Sequence, residues 1–164
     1  MPVSPSDFTA HDQQIWDEEL QDFVPNRVFD AHIHLFNPAH LPADSTVARN
    51  WGLNDLASLQ QWAARLYPGR ETHFLVLGSP APGIDVAAHN TWGIEQVRRD
   101  PQSRMNRLVT PACRLEDITR DVRDRGFIGL KPYRFFSVTG DIAQCRIHEF
   151  LPHEQLELAN EMGL

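Results

Sequence analysis

Two histidines two residues apart, His32 and His34, close the run from Arg27 to Phe36, RVFDAHIHLF. Neutral imidazoles at that spacing on an extended strand leave the same face and can share one divalent metal ion. By the same alternation Asp30 is expected beside them, with Phe29, Ala31, Ile33 and Leu35 on an opposite, apolar face. The spacing alone is weak evidence: eight His among 164 residues make roughly 0.4 such pairs by chance. The context adds weight, because a β-branched and aromatic run precedes the pair and the turn signal Asn37-Pro38 follows it. A pair of hydrogen-bonded His beside a loop is the plainer alternative.

A second group of candidates lies in GFIGLKPYR, from Gly126 to Arg134. Alternation puts Phe127, Gly129, Lys131 and Tyr133 on one face and Ile128 and Leu130 on the other, where a helix layer would cover them. Lys131 would then stand inside with the imidazoles, with Gly129 leaving room. Three roles are open to Lys131: a carboxylated metal bridge, an ammonium that holds an anion or lowers a neighbour's pKa, or a structural cation paired with an acid such as Asp30. Tyr133 and Arg134 follow at the strand mouth. They are candidates for binding a substrate carboxylate, since Arg offers a bidentate fork; a solvated loop end is the other reading. His11, His73, His89, His148 and His153 are expected to be ordinary surface or partly buried residues. His40 stands apart because it lies in the loop directly after the pair. Asn90 and Trp92 read as helix surface and packing, and Thr110 as floor or rim of the site.

The elements that must position these groups follow from periodicity. A helix is expected over Thr9–Phe23 with Ile15, Trp16, Leu20 and Phe23 on one side, after a polar lead over residues 1–10. Strands are expected at Val28–His34, His73–Gly78, Asn106–Thr110 and Phe127–Lys131. Helices are expected from Asn54 or Asp55 to Leu66, from Ile84 to Arg99, around Leu115, Ile118 and Val122, and after Pro152. About eighteen loop residues after the first strand suggest a functional segment. Short apolar strands alternating with helices signal a parallel sheet covered by helices, an α/β fold. The reactive groups of such folds gather at the C-terminal strand ends, where His32, His34 and Lys131 all fall.

Composition narrows the function class. A net charge of −7 disfavours a nucleic-acid surface, which needs a clustered basic face. Arg98, Arg99, Arg104 and Arg107 are interleaved with Asp and read as a solvated face between elements. The two Cys, Cys113 and Cys145, form no disulfide framework. There is no secretory signal pattern and no apolar run long enough to span a membrane, so a cytoplasmic location is the default expectation.

Taken together, VFDAHIHL (28–35), GFIGLKPY (126–133) and LPHEQLELAN (151–160) resemble the amidohydrolase superfamily, closest to its amidohydrolase-related group of metal-dependent TIM-barrel hydrolases and decarboxylases. The resemblance covers about residues 26–164. It implies that His32 and His34 bind a divalent metal, most often Zn2+, and that Lys131 matches by order a carboxylated Lys used by some members. It implies hydrolysis of an amide, ester or lactone by metal-activated water, or alternatively decarboxylation of a small carboxylic acid. The family's remaining ligands, a His on the fifth strand, a His on the sixth and an Asp on the eighth, would follow Leu164. A closed barrel takes about 250 residues. The expectation is therefore the N-terminal half of a (β/α)8 TIM barrel, about four βα units over residues 26–164, C-terminally truncated, after a helical extension over residues 1–25. Such a fragment would be weakly active or inactive. Its open sheet edges would favour a homo-oligomer, and a non-catalytic fragment or small α/β binding domain is the rival reading.

Overall fold

The computed structural model describes residues 8–164, so the first seven residues of the expected polar lead and N-terminal extension lie outside it. The core is a four-stranded parallel sheet in sequential order, built from β1 (Arg27–His34), β2 (Glu71–Leu77), β3 (Arg104–Leu108) and β4 (Leu130–Lys131). The connections carry α2 (Thr46–Trp51) and α3 (Leu56–Leu66), then α4 (Val86–Val97), then α5 (Leu115–Arg120). The N-terminal α1 (Ala10–Ile15) precedes the sheet and α6 (His153–Met162) follows it. The chain is thus an α/β protein with one parallel sheet. No helix among the described residues is long and apolar enough to cross a membrane.

One face of the sheet is a packed core. Leu35, Phe74, Val76 and Met105 meet Leu56, Leu59 and Ala63 of α3 and Ile94 and Val97 of α4, all nearly or fully buried. Local chemistry sets the helix limits. Asp55 caps α3 by accepting from the Ser58 amide, Asp85 caps α4 through Ala88, and Gly163 ends α6 in the left-handed region.

The structure departs from the alternation read in the sequence at both motif strands. In β1, Asp30 pairs with Phe74 but Ile33 pairs with Val76, so one extra residue is accommodated between them. This β-bulge inverts the parity of the strand. Asp30 therefore stands on the Phe74 side, not beside His34, and its carboxylate accepts from the His32 backbone amide at 3.0 Å. Phe29, expected in the apolar layer, is 50% exposed. Around β4, only Leu130 and Lys131 are regular strand. Phe127 follows Gly126 (φ 83°) into the helix-side core, and Ile128 is exposed, the reverse of the expected assignment.

Three further expectations are corrected. The N-terminal helix passes into a π-helical turn over Trp16–Leu20; Trp16 is buried there, while Phe23 is exposed. The long loop after β1 contains α2, capped by Ser45. The third strand starts at Arg104, and Arg107 belongs to it, buried, rather than to a solvated face. Its guanidinium meets Asp121 at 2.8 Å, and Asp121 also faces Arg125 at 3.3 Å. Removing the acid of such a buried pair leaves an uncompensated cation. Asp121→Ala is expected to lose about 3–5 kcal/mol of stability, measured as a lowered midpoint in urea unfolding at an unchanged slope.

Candidate functional site

The C-terminal ends of the strands bring His32, His34, Lys131 and Tyr133 together. His34 pairs with Leu77 and Lys131 with Leu108, which puts both on the face opposite the helix-side core. The His32 and His34 ring centroids lie 5.3 Å apart at 73°. The Tyr133 ring lies 6.4 Å from that of His34, and the Lys131 ammonium sits 4.9 Å above the Tyr133 ring. Two glycines make this convergence possible. A Cβ on Gly78 would fall 2.4 Å from the Leu108 Cβ, and one on Gly129 would fall 2.7 Å from the Asn106 Oδ1. The room expected at Gly129 is therefore taken up by Asn106.

The state of His34 is defined by its surroundings. Its Nδ1 lies 3.2 Å from the Leu77 carbonyl. A carbonyl only accepts, so Nδ1 carries the proton and Nε2 keeps its lone pair. Burial, outweighing that bond, holds the imidazole below its ordinary pKa, and neighbouring His32 pushes the same way. A neutral ring with a free Nε2 is the form that ligates a metal. His32 is exposed, and no hydrogen bond from the described residues holds its ring. The two residues thus fit as a pair of nitrogen donors. No third His, Cys, Asp or Glu joins them in a metal-sized group among the described residues.

Among the described residues Lys131 forms no ion pair, with Asp30 or with any other acid; its charge acts on the Tyr133 ring and on His34. The Tyr133 hydroxyl is sealed from solvent with no partner among the described residues, and burial pushes its pKa up to about 12. It is therefore a neutral donor in want of an acceptor. Arg134 opens a short 3-10 turn over Arg134–Phe136, exposed and with no partner among the described residues.

Two neighbouring residues turn out to be structural parts of this end of the sheet. Asn90 is fully buried, not helix surface. Its amide donates to the Leu108 carbonyl at 2.9 Å and accepts from the Leu108 amide at 2.9 Å. His89 is also fully buried, and its Nε2 accepts from the Ser79 amide at 3.2 Å. The Ser79 hydroxyl in turn donates to the Leu35 carbonyl. The clue in the sequence was position: His89 and Asn90 lie four and five residues after the Asp85 cap, in the half of α4 that meets the strand tips. The Thr110 carbonyl accepts from the Gln155 side chain at 2.9 Å and so ties α6 to the sheet.

No protein-family model, curated protein or solved structure matches the chain.

Burial, with a smaller push from His40 and His34, lowers the His89 pKa to about 4. The unfolded chain, with an ordinary value near 6.5, binds this proton first as pH falls. His89 therefore adds stability that is complete above about pH 6.5 and is lost on acidification toward pH 4. The loss amounts to about 3 kcal/mol at roughly 1.4 kcal/mol per unit. His73 works in the opposite direction: its bond to Asp100 raises its pKa, so its contribution is present below pH 6.5 and fades as pH rises through the raised value. His89→Gln keeps an acceptor for Ser79 and cannot titrate. Its unfolding free energy is expected to fall less steeply than wild type between pH 6.5 and 4.5, by about one proton's slope, in denaturation curves taken across that range.

Proposed function

We propose that the strand-end pair His32 and His34 provides two nitrogen ligands for a divalent metal, most simply Zn2+, in a metal-dependent hydrolase of the amidohydrolase-related type. The observation that carries this reading is the His34 tautomer: the Leu77 carbonyl holds the Nδ1 proton and leaves Nε2 free beside the His32 ring. A carbonyl or carboxylate behind a ligating imidazole is the usual support for a metal ligand. The sequential parallel sheet, with α3 and α4 on one face and the polar groups on the other, is what one wall of a βα barrel requires.

In this reading a bound metal supplies an activated water or a polarised substrate oxygen. The chain's own residues do the rest. Lys131 offers an ammonium to a substrate carboxylate or to the negative charge that develops on an attacked carbonyl. Tyr133, neutral through the working pH range, holds the Lys131 ammonium over its ring. Arg134, free at the mouth, can clamp an anionic substrate end in its fork. The substrate class this favours is a small carboxylic acid that also bears an amide, ester or lactone.

Catalytic zinc sites usually take three protein ligands, and the described residues offer two. The 164-residue chain is therefore expected to bind Zn2+ weakly and to show little or no turnover. In calorimetric titration, wild type is expected to take up one Zn2+ with micromolar or weaker affinity. His34→Ala and His32→Ala should each weaken it at least tenfold, with His148→Ala unchanged. Uptake that survives the double His32→Ala, His34→Ala variant would sink the assignment.

A further inference from the structure

The segment between β1 and α3 is anchored in two places of different character. Its base is closed by a two-bond bridge: Phe36 donates to the Asn54 carbonyl at 2.9 Å, and Asn54 to the Phe36 carbonyl at 2.8 Å. The Asn54 side chain also donates to the His34 carbonyl at 2.9 Å, and Trp51 stacks on Phe36 at 5.8 Å. Residues 37–53 thus form a strap whose two ends, Phe36 and Asn54, meet beside His34.

The second anchor lies on the first two turns of α4 and the loop before it. The His40 ring meets His89 at 5.9 Å and Trp92 at 5.6 Å, both edge-on. The Asp85 amide donates to the His40 carbonyl at 2.8 Å. Beside them Leu41 and Val47 pack against Ala81 and Ile84, and Pro42 fills the space where Gly83 lacks a Cβ. This seat holds two unsatisfied nitrogens. Because His89 Nε2 accepts from Ser79, its Nδ1 must carry the proton, and that buried N–H has no acceptor. The Nδ1 of His40 is likewise sealed from water without a partner. The same tautomer argument excludes a metal at His89 Nδ1, since the nitrogen is already protonated. The seat gains ring contacts and forfeits hydrogen bonds, so it is held less firmly than the base.

We propose that residues 37–53 form a hinged strap rooted beside His34, latched to α4 by His40 against His89 and Trp92, and that the latch opens when the His40 imidazole takes up a proton. A proton on His40 would place a cation in the seat with only the Asp85 carboxylate facing it, and that carboxylate already caps α4 through Ala88. The ionisable groups acting on His89 are His40 and His34, which add no counter-charge. Opening returns His40 to water, where it protonates at its ordinary value near 6.5. Burial holds it below that value in the seat, so proton uptake favours the open strap.

The test is amide hydrogen exchange on the full chain with chelator present, at pH 7.5, 6.5 and 5.5, normalised to intrinsic rates. The chelator removes any dependence on the metal assignment, so failure there and failure here are read separately. Amides of residues 40–52 and the Asp85 amide are expected to exchange at least fivefold faster at pH 5.5 than at pH 7.5, while Val76 and Met105 in the sheet stay protected. His40→Phe keeps the ring contacts and cannot titrate; its strap should stay closed at all three values. His40→Ala should leave it open at all three. The latch is overturned if wild-type strap exchange is independent of pH, if His40→Phe retains the dependence, or if the sheet amides accelerate in parallel with the strap.

Discussion

The pairing of β1 with β2 slips by one residue between Asp30 and Ile33, and the face from which every later side chain of β1 emerges depends on that slip. Before it, Val28 and Asp30 lie on the side of Thr72 and Phe74. After it, Ile33 takes the core side and His34 the polar side. Without the extra residue, His34 would be driven toward the packed layer of α3 and α4, and Ile33 toward Tyr133. Asp30 accepts the His32 amide across the same irregularity, so the carboxylate serves the backbone that turns the ring and not the ring itself. Bulges recur beside functional sites for this reason: they re-aim a side chain at the cost of one ladder position.

Around that point the polar end of the sheet is stitched by groups that would otherwise be orphaned. The Ser79 hydroxyl reaches the Leu35 carbonyl, the Ser79 amide reaches His89, and Asn90 serves both backbone groups of Leu108. Each bond crosses from one strand tip to its neighbour or to a helix. Since buried amides and carbonyls must find partners, these contacts fix the spacing of the strand tips that carry His34 and Lys131. Burial of the same region keeps His34 and His89 neutral, so the environment that holds the strand ends together also sets the charge state of the imidazoles.

Much of this architecture was legible in the residues. Short apolar runs marked all four strands, and Asp55 and Pro152 marked helix starts within two residues. His32, His34, Lys131 and Tyr133 were brought to one face as their spacing suggested. The errors cluster where local alternation is interrupted. The bulge in β1 and the two-residue length of β4 carry no residue signature, so Asp30, Phe127 and Ile128 were assigned to the wrong sides. Arg107 reads as a surface cation because its partner, Asp121, lies fourteen residues away on another element. The depth of His89 and Asn90 was hidden for the same reason, since polar side chains reveal burial only through bonds to distant backbone.

The adjacent bonds of His89 and Asn90 have a consequence for α4 as a rigid body. One residue is tied to the chain leaving β2, the next to the end of β3. Neighbouring positions on a helix diverge by about 100°, so these two fastenings together lock the rotational phase of α4 as well as its distance from the sheet. A helix held by apolar contacts alone can roll several degrees at little cost; this one cannot turn in either direction without breaking a bond to one strand. Whatever rests on the first two turns of α4 therefore inherits the coordinate frame of the sheet. The His40 seat and the His34 ring, on different elements, are surveyed from the same origin.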